Sequence, residues 1–155
     1  RYSGIADWDS INQIVNSVSI PVIANGDVTD AKSAESCLSV TGAAGLMIGR
    51  AAIGRPMIFH TIKKELGWTK EKPPWEFDDP IISRIWCWER YLTLCDEVYG
   101  EAGSKNSKRH AISFTKGLPG ASAMRVSLHK AQSHQQLGRM VSTYLRDLEC
   151  SAMAH

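Results

Sequence analysis

Two short segments combine residue types and spacing suited to holding a phosphate: Asn25-Gly26-Asp27 and Gly49-Arg50, each placed directly after an apolar run. Glycine lets a backbone approach an anion closely, successive amides form an anion-binding concavity, and an arginine adds a charge-assisted pair. Either turn alone is ordinary chemistry, because Gly, Asn and Asp suit any tight turn. The two together leave a phosphate site and a pair of plain turns as equal readings. A third region is chemically one-sided. Ala102–Arg146 contains eight Lys and Arg, namely Lys105, Lys108, Arg109, Lys116, Arg125, Lys130, Arg139 and Arg146, with His110, His129 and His134 among them and no Asp or Glu. Such a segment either tracks nucleic-acid phosphates or forms a solvated basic surface. No cluster of His, Cys and Asp has metal-ligand spacing, and neither Gly-x-Gly-x-x-Gly nor Gly-Lys-Ser/Thr occurs.

The elements that must carry these residues follow from periodicity. Trp8, Ile11, Ile14, Val15 and Val18 predict an amphipathic helix over 7–18 with Asp7 as N-cap. Ile20–Ala24 then predicts a fully buried parallel strand stopped by the first turn. Thr29 or Asp30 caps a second helix that Gly42 ends, and Ala44–Ile48 repeats the strand before Gly49. A further helix is expected from Pro56 to Gly67. Helix, strand, helix, strand within so short a span is the rhythm of an α/β parallel sheet.

Residues 68–79, with Lys-Glu-Lys-Pro-Pro, read as a linker, and no strand pattern follows. Asp79-Pro80 opens a helix closed by Tyr99-Gly100, a basic helix covers 107–116, and Gly117–Gly120 breaks it. A short helix is expected over 123–130, and Ser133 with Gln136 caps a last one buried through Leu137, Val141 and Leu145. Trp86, Trp88 and Tyr91 share a helix with Ile81, Ile85 and Leu92 and read as packing rather than base-stacking residues.

The chain has 155 residues, 43% of them hydrophobic, and a net charge of +2. That length is short of the roughly 250 residues of a whole (β/α)8 barrel. The charge is unevenly spread: Arg1–Glu101 carries ten Lys and Arg against fourteen Asp and Glu, so the basic half is offset by an acidic one. Cys37, Cys87, Cys95 and Cys150 form no C-x-x-C pair, which points to reduced thiols and a cytoplasmic setting. No apolar run approaches the ~20 residues of a membrane span, and Arg1-Tyr2-Ser3-Gly4 does not resemble a signal peptide. The absence of an initiating Met leads to the expectation of a processed or partial chain.

Tyr-Ser-Gly-Ile-Ala-Asp-Trp-Asp, Ile-Pro-Val-Ile-Ala-Asn-Gly-Asp, Thr-Gly-Ala-Ala-Gly-Leu-Met-Ile-Gly-Arg-Ala and Pro-Met-Ile-Phe resemble the end of the flavin-binding barrel of the tRNA-dihydrouridine synthases. Past the linker, Ser-Lys-Arg-His and Lys-Gly-Leu-Pro-Gly-Ala-Ser-Ala-Met-Arg are similar to motifs of that family's helical tRNA-binding domain. The resemblance covers nearly the whole chain. It implies an α/β fold, the C-terminal part of a TIM barrel over 1–67 followed by an all-α helical bundle over 80–150.

The resemblance also implies FMN as cofactor, NADPH as its reductant, and tRNA as partner of an enzyme monomeric in its complete form. The reaction it implies is reduction of the C5–C6 bond of selected uridines flipped into the barrel. Asn25, Gly26, Asp27, Gly49 and Arg50 match the family's FMN-phosphate positions, and Lys105, Lys108, Arg109, His110, Lys116 and Arg125 fall to tRNA binding. The family's catalytic cysteine belongs to strands upstream of the segment that here begins at Arg1. None of the four cysteines present stands in for it, so the 155 residues alone are expected to be inactive. Two alternatives remain: a non-catalytic RNA-binding module, and an FMN-dependent barrel enzyme acting on a small molecule.

Overall fold

The structure is a computed structural model and describes residues 4–103 and 105–153. It is an α/β chain, mostly helical, with one two-stranded parallel sheet among the described residues. It forms two compact units that divide at Glu71–Lys72, with residues 53–55 belonging to the second.

In the first unit, α1 (Trp8–Ser17) starts where the Asp7 carboxylate accepts the Ser10 amide at 3.0 Å. β1 (Ile23–Asn25) runs parallel to β2 (Gly45–Met47), with Ala24 opposite Leu46 and Asn25 opposite Met47. Between them lies α2 (Ala31–Thr41), opened by a reciprocal capping box between Asp30 and Ser33 and closed by Gly42 at φ 66°. The chain then makes a 3-10 turn at Arg50–Ala52 and enters α3 (Ile58–Glu65). Ala24, Val28, Ala34, Cys37, Ile58 and Ile62 form the core, with Trp8, Ile11, Leu46 and Leu66 packed on it.

Two expectations are corrected here. The first strand begins at Ile23 rather than Ile20, and it is not buried on both faces, since only Ala24 is. Strand side chains alternate, so Ala24 points into the core while Ile23 and Asn25 point the opposite way. Among the described residues nothing covers that other face. The third helix starts at Ile58 with Met57 as its cap, which leaves Pro56 outside it.

The second unit is all helix: α4 (Pro80–Tyr99), a 3-10 turn at Gly100–Ala102, α5 (Ser107–Thr115), α6 (Ala121–His129) and α7 (His134–Met153). Pro80 occupies the first helical position of α4, and the Asp79 carboxylate caps Ile81 N at 2.7 Å. α4 packs along α7, and α5 packs against α6 and α7. Trp88 is the centrepiece. It is 1% exposed, its Nε1 donates to Ser142 Oγ at 3.2 Å and Gly138 O at 3.4 Å, and its ring meets Phe114 edge-on and stacks on Tyr91. Gly138 permits this approach, because a Cβ there would stand 3.3 Å from both Leu92 methyls. Arg84 donates from Nη1 to Phe114 O and Lys116 O, satisfying carbonyls at the end of α5. Among the described residues no helix is long and apolar enough to cross a membrane.

Candidate functional site

β1 and β2 end level with one another, so the turns that follow them lie side by side. Gly26 has φ 133° and Asp27 φ 54°, a left-handed conformation that Asp tolerates better than most residues. A methyl group on Gly26 would overlap the Ala6 side chain, so the glycine is required by packing as well as by its dihedral. Ala6 and the first residue of α1 clamp the turn: Trp8 Nε1 donates to Gly26 O at 3.1 Å, and Ala6 N donates to Asp27 Oδ2 at 2.7 Å. The other carboxylate oxygen, Asp27 Oδ1, accepts Arg50 Nη2 at 3.3 Å, which links the two turns.

This geometry separates the residues that sequence grouped together. Asp27 is an anion already engaged by a backbone amide and a guanidinium, so its effect is to aim Arg50. Arg50 is 71% exposed, and the Asp27 contact uses one of its nitrogens, leaving donors for a ligand. At Gly49 an added Cβ would find its nearest neighbour 3.9 Å away, so the backbone there is open to close approach. Asn25 ends β1 with its side chain exposed. A guanidinium fixed at the C-terminal ends of two parallel strands, beside an open glycine, can hold a phosphate group.

The basic residues distribute over the helical unit. Lys108, Arg109 and His110 follow one another in the first turn of α5, Lys105 precedes it, Lys116 caps its end and Arg125 lies on α6. All except His110 are exposed. Lys105 and Lys108 line one groove, and Lys108 Nζ donates to His129 O at 3.0 Å; Lys116 and Arg125 do not line it. His110 is half-buried, its Nδ1 is 2.9 Å from Tyr91 OH, and its ring meets Tyr91 edge-on. Burial, and secondarily the Arg109 charge, lowers the His110 pKa from its ordinary value and favours the neutral ring, which serves packing as much as any surface. Of the other basic residues, Arg146 is paired with Glu89 at 2.5 Å.

Cys37, the thiol of the first unit, lies in α2 and in neither turn. It is buried there, and desolvation raises its pKa. Cys87 is buried in α4 and pushed up to about 11. Cys95 is buried in α4, and Cys150 is exposed on α7. Trp88 and Tyr91 are packing residues as expected, and Trp86 packs on Trp75. Sequence reasoning missed the Ala6–Trp8 clamp, whose only signal was an indole with a donor to satisfy.

A family model described as dihydrouridine synthase matches residues 1–149. The chain is 41% identical over 110 residues to tRNA-dihydrouridine synthase B of Escherichia coli strain K12, covering 70% of the chain and 33% of that relative. It is 34% identical over 128 residues to a probable tRNA-dihydrouridine synthase of Rickettsia typhi, covering 83% of the chain and 38% of the relative. A probable tRNA-dihydrouridine synthase 1 of Synechocystis is 31% identical over 137 residues, with 87% and 37% covered. The chain thus spans between a third and two fifths of the length of these relatives.

Proposed function

The chain belongs to the dihydrouridine synthase family, and from that premise we propose that it forms the flavin-phosphate turns and the tRNA-binding helical unit of an FMN-dependent, NADPH-driven tRNA-dihydrouridine synthase. The observation that carries this reading is the Arg50 guanidinium held by Asp27 at the ends of two parallel strands. In this reading β1 and β2 are the last two strands of a TIM barrel whose loops grip the cofactor phosphate.

The residues present fit such a group. Arg50 supplies the charge and Asp27 fixes its direction, while Gly49 leaves the backbone open and the Ala6–Trp8 clamp keeps the Gly26 turn from shifting. When bound, FMN recharged by NADPH supplies the hydride that saturates the C5–C6 bond of a uridine. The helical unit brings the RNA: Lys105, Lys108, Arg109, Lys116 and Arg125 are exposed and neutralise phosphates, and double-stranded RNA is met chiefly through its backbone. Cys37, Cys87 and Cys95 are buried and Cys150 lies on α7 of the helical unit, so this reading assigns the general acid to none of the four thiols.

The test is to incubate the purified chain with FMN, NADPH and an unmodified tRNA transcript, scoring flavin retention, tRNA binding and dihydrouridine separately. The proposal expects flavin and tRNA binding without dihydrouridine. Dihydrouridine formed by these 155 residues would overturn the assignment of the acid elsewhere, and absence of tRNA binding would overturn the role of the helical unit. Binding of tRNA with no trace of flavin would favour the second reading, an RNA-binding module.

A further inference from the structure

The groove that holds Lys105 and Lys108 encloses about 260 Å3 between the segment entering α5, the first turn of α5 and the turn into α7. Gln132, Ser133 and His134 line its far side, and among the described residues no carboxylate lines it. Three features make it more than a dent between helices.

The first is fixed charge. Lys108 would ordinarily sweep a wide arc, but its ammonium is tethered to His129 O at 3.0 Å and keeps two further N–H donors. The second is the start of α7, a 20-residue helix whose positive end lies at Ser133 and His134. Ser133 Oγ accepts the Gln136 amide at 3.1 Å, which leaves its own proton to donate outward. The third is His134. Its side chain is 3% exposed, its Nδ1 sits 3.0 Å from Ser107 Oγ, and its Nε2 makes no hydrogen bond, with Asp96 Oδ1 3.5 Å away. A methyl group on Gly103 would overlap this imidazole. The ring therefore locks the first residue of α5 to the first residue of α7 and sets the distance between the lysines and Ser133.

We infer that this groove seats a single phosphodiester of an RNA backbone, with Lys105 and Lys108 as the charged ligands, Ser133 as a hydrogen-bond donor and His134 as a positioning residue. The inference rests on the proposal that the helical unit binds tRNA and names where one phosphate sits. A polymer backbone is favoured over a free anion because the charge continues beyond the groove: Arg109 and Lys130, chain neighbours of the lining residues Lys108 and Ala131, are both exposed.

The experiment is equilibrium binding of the full chain to an unmodified tRNA transcript across a KCl series, with folding of each variant checked by circular dichroism. Lys105→Ala/Lys108→Ala should weaken binding roughly tenfold or more at low salt and flatten the log–log salt slope by about one to two, the number of phosphate neutralisations removed. Ser133→Ala should weaken binding a few-fold with the slope unchanged. A set of transcripts, each with one uncharged methylphosphonate linkage, identifies the phosphate: one linkage should weaken the wild-type chain and leave the double variant unaffected.

A chain that binds tRNA with a steep salt slope that the double substitution leaves intact overturns the seat while sparing the tRNA reading. A wild-type chain that binds no tRNA overturns that reading itself. Inorganic phosphate titrated by NMR supplies the remaining arm. If it shifts the Lys105 and Lys108 amides while tRNA affinity ignores both lysines, the groove is a small-anion site and the inference fails.

Discussion

The helical unit closes its core and the α/β unit does not. In the former, Trp88, Leu128, Val141 and Leu145 are all at or below 1% exposure. In the latter the deepest residues are small, Ala24, Ala34 and Cys37, while Ile20, Ile23 and Met47 are 71%, 58% and 49% exposed. One unit is held by mass of packing; the other holds its two glycine turns by polar clamps at the strand ends, Ala6 and Arg50 on Asp27 and Trp8 on Gly26. The geometry of the candidate phosphate seat in the first unit therefore depends on a few hydrogen bonds, whereas the second presents its charges from a scaffold that tolerates surface change.

That contrast can be broken at several points. Trp88→Ala should destabilise the helical unit by about 3–5 kcal/mol, the usual range for emptying a buried aromatic site, measured by denaturant unfolding. A cost under ~1 kcal/mol would mean that the unit is not held by its core. Gly26→Ala should cost about 1–3 kcal/mol through its strained φ and the overlap with Ala6, and should loosen the Arg50 turn. Ile23→Thr, by contrast, should change the stability of this chain by less than ~0.5 kcal/mol because the side chain is already in water.

Acid should separate the units in a fixed order. His110 has its folded pKa lowered by burial, so its contribution to the helical unit is complete above 6.5 and fades as the pH falls below that value. Asp7 and Asp30 have theirs lowered, by Ser10 and Ser33 respectively, so the caps of α1 and α2 hold above 3.8 and are lost as the pH falls further. Loosening around Trp88, read by amide exchange in α4 and α7, should therefore begin at a higher pH than the rise in amide exchange in α1 and α2. The reverse order would contradict the assignment.

Much of this was legible in the sequence because helix ends are local chemistry. Asp7, Asp79-Pro80 and Ser133 each mark a start that the structure keeps, and of the two candidates Thr29 and Asp30 the structure uses Asp30. The two turns could be read for the same reason, and the parallel pairing of the strands from the alternation of helix and strand, which is the rhythm of a parallel sheet. Strand burial could not, because an apolar run such as Ile20–Ala24 states what could be covered and not what covers it. The Ala6–Trp8 clamp and the groove lined by Lys105 and Lys108 were also invisible. Both join residues distant in sequence, 21 apart for Ala6 and Asp27 and 27 apart for Ser107 and His134. No periodicity encodes such meetings.

The most direct measurement of the central claim compares FMN with riboflavin, which lacks the phosphate, in equilibrium binding to the chain and to Arg50→Ala. The account predicts that FMN binds the unaltered chain at least about tenfold more tightly, the value of one charge-assisted pair, and that Arg50→Ala erases the difference. Equal affinity for the two flavins, or a preference for FMN that survives without Arg50, would contradict it.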